Sequence, residues 1–249
     1  MSEALADEDG GTAATDAGID IRLLDSTDDV NRLMHLFNQV WGTNTAVVGM
    51  ELIRAIGHAG GYVAAAYAGE QMIGGSLGFL ARHLDRPALH SHLTGVLPGV
   101  RHTGLGRSMK LHQRAWAASR GLDWVTWTFD PLVRRNAWFN IGVLGAEVHE
   151  YLVDFYGAID DSINAGDESD RLLVAWAVTT DLSAAPPAVP QEGTFTVPTP
   201  DDIVVLRRTS PADAEAWRRR VRLELGGPLA DGARVVDFTR DGHYVVTPR

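Results

Sequence analysis

Residues Leu89 to Gly121 read LHSHLTGVLPGVRHTGLGRSMKLHQRAWAASRG. The stretch opens as an apolar strand carrying His90 and His92, turns at Pro98-Gly99, passes through a glycine-punctuated loop and continues as a helix that Gly121 can cap. Strand, loop and helix in that order bring backbone N–H groups and the positive end of a helix dipole to one point, where an anion is favoured. Gly104 and Gly106 let the backbone turn tightly and approach a diphosphate with no Cβ in the way. Arg101, Arg107, Lys110, Arg114 and Arg120 lie in a stretch without an acid before Asp123, which predicts a local positive patch. Two other glycine loops are excluded. A dinucleotide fingerprint needs a third glycine where Met109 stands, and a P-loop needs Gly-Lys-Ser/Thr.

The rest of the chain restricts what such an anion site belongs to. With 249 residues and 45% hydrophobic composition it can bury a full core, as one large domain or one domain with an appendage. The absence of cysteine excludes disulfides, thiolate metal ligands and cysteinyl intermediates. A net charge of −10 repels nucleic acid and anionic membrane, so small-molecule chemistry is expected. No apolar run reaches the roughly 18 residues of a membrane span, and the N-terminus lacks a basic-then-apolar signal, which predicts a cytoplasmic protein.

In chain order, residues 1–18 are small and acidic and read as a disordered tail. IDIRLL from Ile19 alternates as a strand. Ser26 and Asp29 form a capping box before Val30, Leu33, Met34, Phe37, Val40 and Trp41 at helical spacing. A weaker helix covers about Val47 to Gly57. Gly61 to Ala68 and Gln71 to Leu80 form a hairpin, Leu89 to Val96 is the next strand, Leu105 to Arg120 a helix and Trp124 to Phe129 a strand. Asp130, capping at Pro131, starts a helix to about Gly142; Ala146 to Val153 and Arg171 to Thr179 are strands. The Pro-rich stretch 184–200 is a semi-rigid linker between a domain at 19–183 and an extension at 201–249. That extension reads as a strand (IVVLRR), a helix from Ser210-Pro211 and a hairpin turned by Asp241-Gly242.

This order of elements, with Pro98, Gly99, Arg101, Gly104 and Gly106 in the central loop, resembles the GNAT superfamily of N-acyltransferases over about Ile19 to Thr180. RHTGLG matches that family's Arg/Gln-x-x-Gly-x-Gly/Ala pyrophosphate loop, and Asn136 in RNAWFN falls where the family contacts coenzyme A. The resemblance implies an α/β GNAT (acyl-CoA N-acyltransferase) fold: a mixed, mostly antiparallel sheet flanked by helices, splayed where Val96 leaves the Trp124 to Phe129 strand, plus a small α+β C-terminal extension. It implies acetyl-CoA as co-substrate, held by Thr94, Gly95, Val96, Arg101, His102, Thr103, Gly104, Leu105, Gly106, Arg107 and Asn136, and a primary amine of small-molecule type as acceptor. A homodimer is left open.

His90 and His92 are two apart on a strand and so point to one face. LHSH resembles the histidine pair of the aralkylamine N-acetyltransferase branch, which implies a base acting through ordered water. An alkylammonium has no lone pair, and histidine takes its proton near neutrality. The other readings are hydrogen-bonded core histidines or an HxH metal site. A metal site would want a nearby carboxylate, and none appears before Asp123, so no metal is expected. The family's acid tyrosine is missing: Asn140 to Gly145 offers no hydroxyl. Tyr151 and Tyr156 are the candidates, with an unassisted thiolate departure as the alternative, since a thiol pKa lies near 8.5. Asp160, Asp161, Asp167, Glu168 and Asp170 read as an acidic loop, either solvated or rimming the acceptor pocket. Two rivals to acetyl transfer are a non-catalytic acyl-CoA-binding module and an acyltransferase that uses a longer acyl-CoA.

Overall fold

The computed structural model describes residues 18–100, 104–157, 167–179 and 192–249. The expected acidic tail, Asp160, Asp161 and most of the Pro-rich stretch lie outside the described residues. The chain forms two compact units: 1–126 with Ala177–Thr179, and Trp127–Trp176 with Thr180–Arg249.

In the first unit, β1 (Ile19–Leu23), β2 (Tyr62–Ala68), β3 (Gln71–His83) and β4 (Arg86–Val96) pair antiparallel in sequence order. Then β5 (Trp124–Phe129), whose first three residues belong to this unit, joins β4 in parallel. The β3–β4 hairpin is longer than the sequence suggested. It turns at Leu84-Asp85, where both residues take a positive φ, 48° and 59°.

Helices α1 (Thr27–Trp41) and α2 (Met50–His58) cover one face. Ser26 begins α1: its Oγ accepts from the Asp29 N–H at 3.1 Å and donates to the Asp29 carboxylate at 2.9 Å. Val30, Leu33 and Phe37 then enter a core with Val63, Ala65, Leu77 and Leu93. At two points the sheet meets α1 with glycine. A Cβ on Gly75 would lie 2.1 Å from Leu33 Cδ1, and one on Gly95 would lie 2.8 Å from Val40 Cγ1. The other face packs Ala66 and Ile73 against Leu105 and Met109 of α3 (Leu105–Ser119).

In the second unit, α4 (Arg134–Ala137) runs on as a π-helical turn over Trp138–Val143. Here the expectation of a helix capped by Asp130 is corrected. Asp130 Oδ1 accepts from the Leu132 N–H at 2.9 Å, closing a turn, and the helix begins only after Val133. The antiparallel pair β6 (Glu147–Leu152) and β7 (Arg171–Ala177) follows. IVVLRR is a helix, α5 (Ile203–Thr209), and not a strand. Asp202 caps it by accepting from the Val205 N–H at 3.0 Å, and Ile203 and Arg207, four apart, are its buried residues. Pro211 opens α6 (Pro211–Val221), and α7 (Gly227–Ala230) is one turn. Part of the expected linker is strand: β8 (Phe195–Pro198) pairs with β10 (His243–Thr247), which pairs with β9 (Arg234–Phe238). Pro198 is tolerated because it ends an edge strand.

Of the expected acidic loop, Asp167, Glu168 and Asp170 are described, and all three are ion-paired with arginines, which corrects the solvated reading for them. Asp167 takes Arg207 at 3.0 Å and Arg218 at 2.5 Å, both guanidiniums being 1% exposed. Asp170, fully buried, takes Arg222 at 2.7 Å, and Glu168 takes the same guanidinium at 2.5 Å. Arg207 also reaches Asp130 at 2.5 Å. Among the described residues no helix is long and apolar enough to cross a membrane.

Candidate active site

The backbone of β4 prepares the site. In the β3–β4 register Leu77 faces Leu93 and Gly78 faces Ser91, so His92 is the extra residue of a β-bulge. A bulge bends its strand and re-aims a side chain. The parallel register with β5 ends at the pair His90 and Thr126, while β4 continues to Val96. The histidine pair therefore stands where the two strands stop pairing.

Both imidazoles lie beside the ring of Phe79, with centroids 5.1 Å away for His90 and 5.8 Å for His92, and 6.4 Å from each other. The expectation of one shared face is met. His90 is half-buried, with Nδ1 hydrogen-bonded to Thr126 Oγ1 at 3.1 Å, and His92 is exposed. Burial, then the charges of His92 and Lys110, push the His90 pKa down to about 4. Burial of its ring edge lowers that of His92 as well. Both shifts favour the neutral imidazole, and His92 is the more exposed of the two.

The chain enters α3 through Gly104, whose φ of 85° suits glycine alone. Among the described residues nothing lies within 4 Å of a Cβ built there. The N–H groups of Arg107 and Ser108 return to Gly104 O at 2.9 and 3.1 Å. Those of Leu105 and Gly106, at the very start of the helix, have no place in its ladder. These features fit a diphosphate. Arg101, His102 and Thr103 lie outside the described residues. Of the basic patch on the helix, Arg107 and Arg120 are exposed, but Lys110 is not: it is 5% exposed and turned into the sheet, a correction to the patch expected from sequence.

Thr94, Gly95 and Val96 pair with Ser76, Gly75 and Gly74 of β3. In the second unit Asn136 is half-buried on α4, and its N–H donates to Val133 O at 2.8 Å. Tyr151 is half-buried on β6. Its hydroxyl donates to Asp170 at 2.7 Å, and burial with that carboxylate pushes its pKa far up. Tyr156 is 42% exposed, its hydroxyl 3.2 Å from Thr128 Oγ1. No group of three or more His, Cys, Asp or Glu suited to a metal occurs among the described residues.

Sequence reasoning missed the supports of this site: Phe79, Thr126, and the buried polar set of Ser76, Ser91, Lys110 and Gln113. A signal existed for part of it. Lys110 and Gln113 fall among the apolar positions Leu105, Met109, Trp116 and Ala117 of the helix.

No protein-family model matches the sequence, and no curated protein matches it. Solved structures do match. Naa50 from Arabidopsis thaliana, in complex with the bisubstrate analogue CoA-Ac-MVNAL, is 17% identical with a TM-score of 0.51, covering 64% of this chain and 98% of its own. Ard1 from Thermoplasma volcanium is 14% identical with a TM-score of 0.52, covering 66% and 99%. The ribosomal-protein-S18-alanine N-acetyltransferase from Escherichia coli is 15% identical with a TM-score of 0.51, covering 66% and 96%. These likenesses define the class by its architecture: the chain has the GNAT fold, a mixed α/β fold with a largely antiparallel sheet flanked by helices. About a third of the chain lies beyond what these structures match.

Proposed function

We propose that the chain is an N-acyltransferase of the cytoplasm that moves an acetyl group from acetyl-CoA to a primary amine on a small molecule. The observation that carries this reading is the His90–His92 pair on the bulge of β4, in the same unit as a helix whose N-terminus suits a diphosphate. Gly104, Leu105, Gly106 and Arg107 hold the diphosphate, with Arg101, His102 and Thr103 before them; Thr94, Gly95 and Val96 receive the pantetheine arm, and Asn136 is assigned to the same co-substrate. His92 takes the ammonium proton, directly or through water. His92, the exposed imidazole, meets the ammonium first, and His90, bonded to Thr126, stands next to it for a relay.

The amine nitrogen then bonds to the thioester carbon, N–H groups of Thr94 to Val96 steady the oxyanion, and the C–S bond breaks. The thiolate, with an ordinary thiol pKa near 8.5, leaves and takes its proton from solvent. A second reading, an acyl-CoA-binding module without turnover, is favoured by one observation: the Tyr151 hydroxyl is held by Asp170. Calorimetry with coenzyme A, thiol release with a panel of amines, and donors of increasing acyl length test both. Binding with release supports transfer. Thermal stabilisation by acetyl-CoA without release selects the binding module, and no binding at all overturns both.

A further inference from the structure

A helix packed on a sheet ordinarily fills its inner face with apolar side chains, and this one does so at Leu105, Met109 and Trp116. Between them, Lys110 and Gln113 are 5% and 0% exposed. Lys110 Nζ donates to Ser91 Oγ at 2.8 Å and lies 3.5 Å from Gln113 Oε1. Gln113 Nε2 donates to Ser76 Oγ at 3.2 Å. Ser76 Oγ shares a hydrogen bond with Thr94 Oγ1 at 2.8 Å and is 3.2 Å from Leu93 O. The bonds thus end on Ser91, Leu93 and Thr94, the residues on either side of His92. Burying an ammonium is costly, and the cost persists only where the group does something apolar packing does not. Ser91 and His90 are neighbours on a strand, so Lys110 approaches from the face opposite the imidazoles.

We propose that Lys110 is a positioning residue for the histidine pair: bonded beneath the bulge, it fixes the segment that carries His92 and sets a cation behind His90. The inference rests on the acyl-transfer reading for its purpose, and its titration test does not need that reading. Around His90 the titratable neighbours are His92 on its own strand and Lys110 from α3, while β3 presents Phe79 and β5 presents Thr126. Burial pushes Lys110 down to about 7, so its charge is present while His90 titrates at about 4 and fades above neutrality.

Imidazole titrations of the full chain, followed by NMR with isotope-labelled histidine, read this directly. In the wild type, the His90 resonances should titrate near 4 and show a second, smaller inflection near 7 as Lys110 loses its proton. Lys110→Met keeps the stem and removes the charge. It should abolish the inflection and raise the proton affinity of His90 about threefold or more, moving the acid limb of kcat/KM upward with it. Ser91→Ala keeps the charge and removes the anchor, so the inflection should persist while kcat falls. An unchanged His90 midpoint in Lys110→Met, or no inflection near 7 in the wild type, overturns the proposal. If the titrations behave as expected and no amine is acylated, the acyl-transfer reading fails and the pairing of Lys110 with the histidines stands.

Discussion

His92 is the residue by which the β4 ladder exceeds its partner, and such positions are where a strand can re-aim a side chain. If it accepts the substrate proton, His92→Ala should lower kcat about a hundredfold or more at saturating amine. Unchanged turnover in steady-state assays would remove it from the mechanism. The pair was legible in the sequence because two-residue alternation alone puts His90 and His92 on one face. Lys110 was not, because a basic residue next to other basic residues looks solvated. Its hydroxyl partner Ser91 lies 19 residues away. Only its place on the buried stripe of the helix hinted at the outcome.

At the scale of single elements, α1 was readable from its capping serine and its apolar period, and the structure puts those residues in the core. What allows it to sit so close at two points is the lack of a side chain on Gly75 and Gly95. Gly75→Ala would thrust a methyl to 2.1 Å from Leu33 Cδ1 and 3.2 Å from the Phe37 ring. Overpacking of this kind costs about 1–3 kcal/mol, which a lowered urea midpoint would record. A midpoint equal to the wild type would mean that α1 shifts without penalty. IVVLRR shows the opposite case. Its β-branched residues favour a strand and the run is too short for periodicity to decide. The Asp202 cap and the burial of Ile203 and Arg207 settle it as a helix.

Over the whole chain, the least legible feature was the ion-pair network of the second unit. Asp167 meets Arg207 and Arg218 across 40 and 51 residues, and Glu168 meets Arg222 across 54, separations that no local pattern reveals. Asp167→Ala leaves two buried guanidiniums facing one another and should destabilise the unit by about 3–5 kcal/mol in denaturant titrations. Hydrogen bonds and charge from these arginines outweigh burial and hold the Asp167 and Asp170 carboxyls below their ordinary values. A depressed folded pKa stabilises above the unfolded value, near 3.9, and that contribution is lost as pH falls through the folded one. Stability should therefore be flat in this respect from pH 5 to 7 and decline below about 4. Asp167→Asn should flatten that decline, and an acid limb identical to the wild type would assign it to other groups.

In the first unit each of the four opening strands lies beside its neighbours in sequence, whereas Ala177–Thr179 come back from far along the chain, with the Val178 N–H donating to Asp123 O at 2.9 Å. Local ladders close fast and distant ones slowly, because loop entropy is lost before contacts repay it. A nascent chain can therefore zip β1 to β4 soon after they emerge, while the last clasp on Asp123 must wait until translation has passed residue 179. The topology carries its own timetable: the strand that bears both histidines is assembled early, and the seam beside it is fastened late.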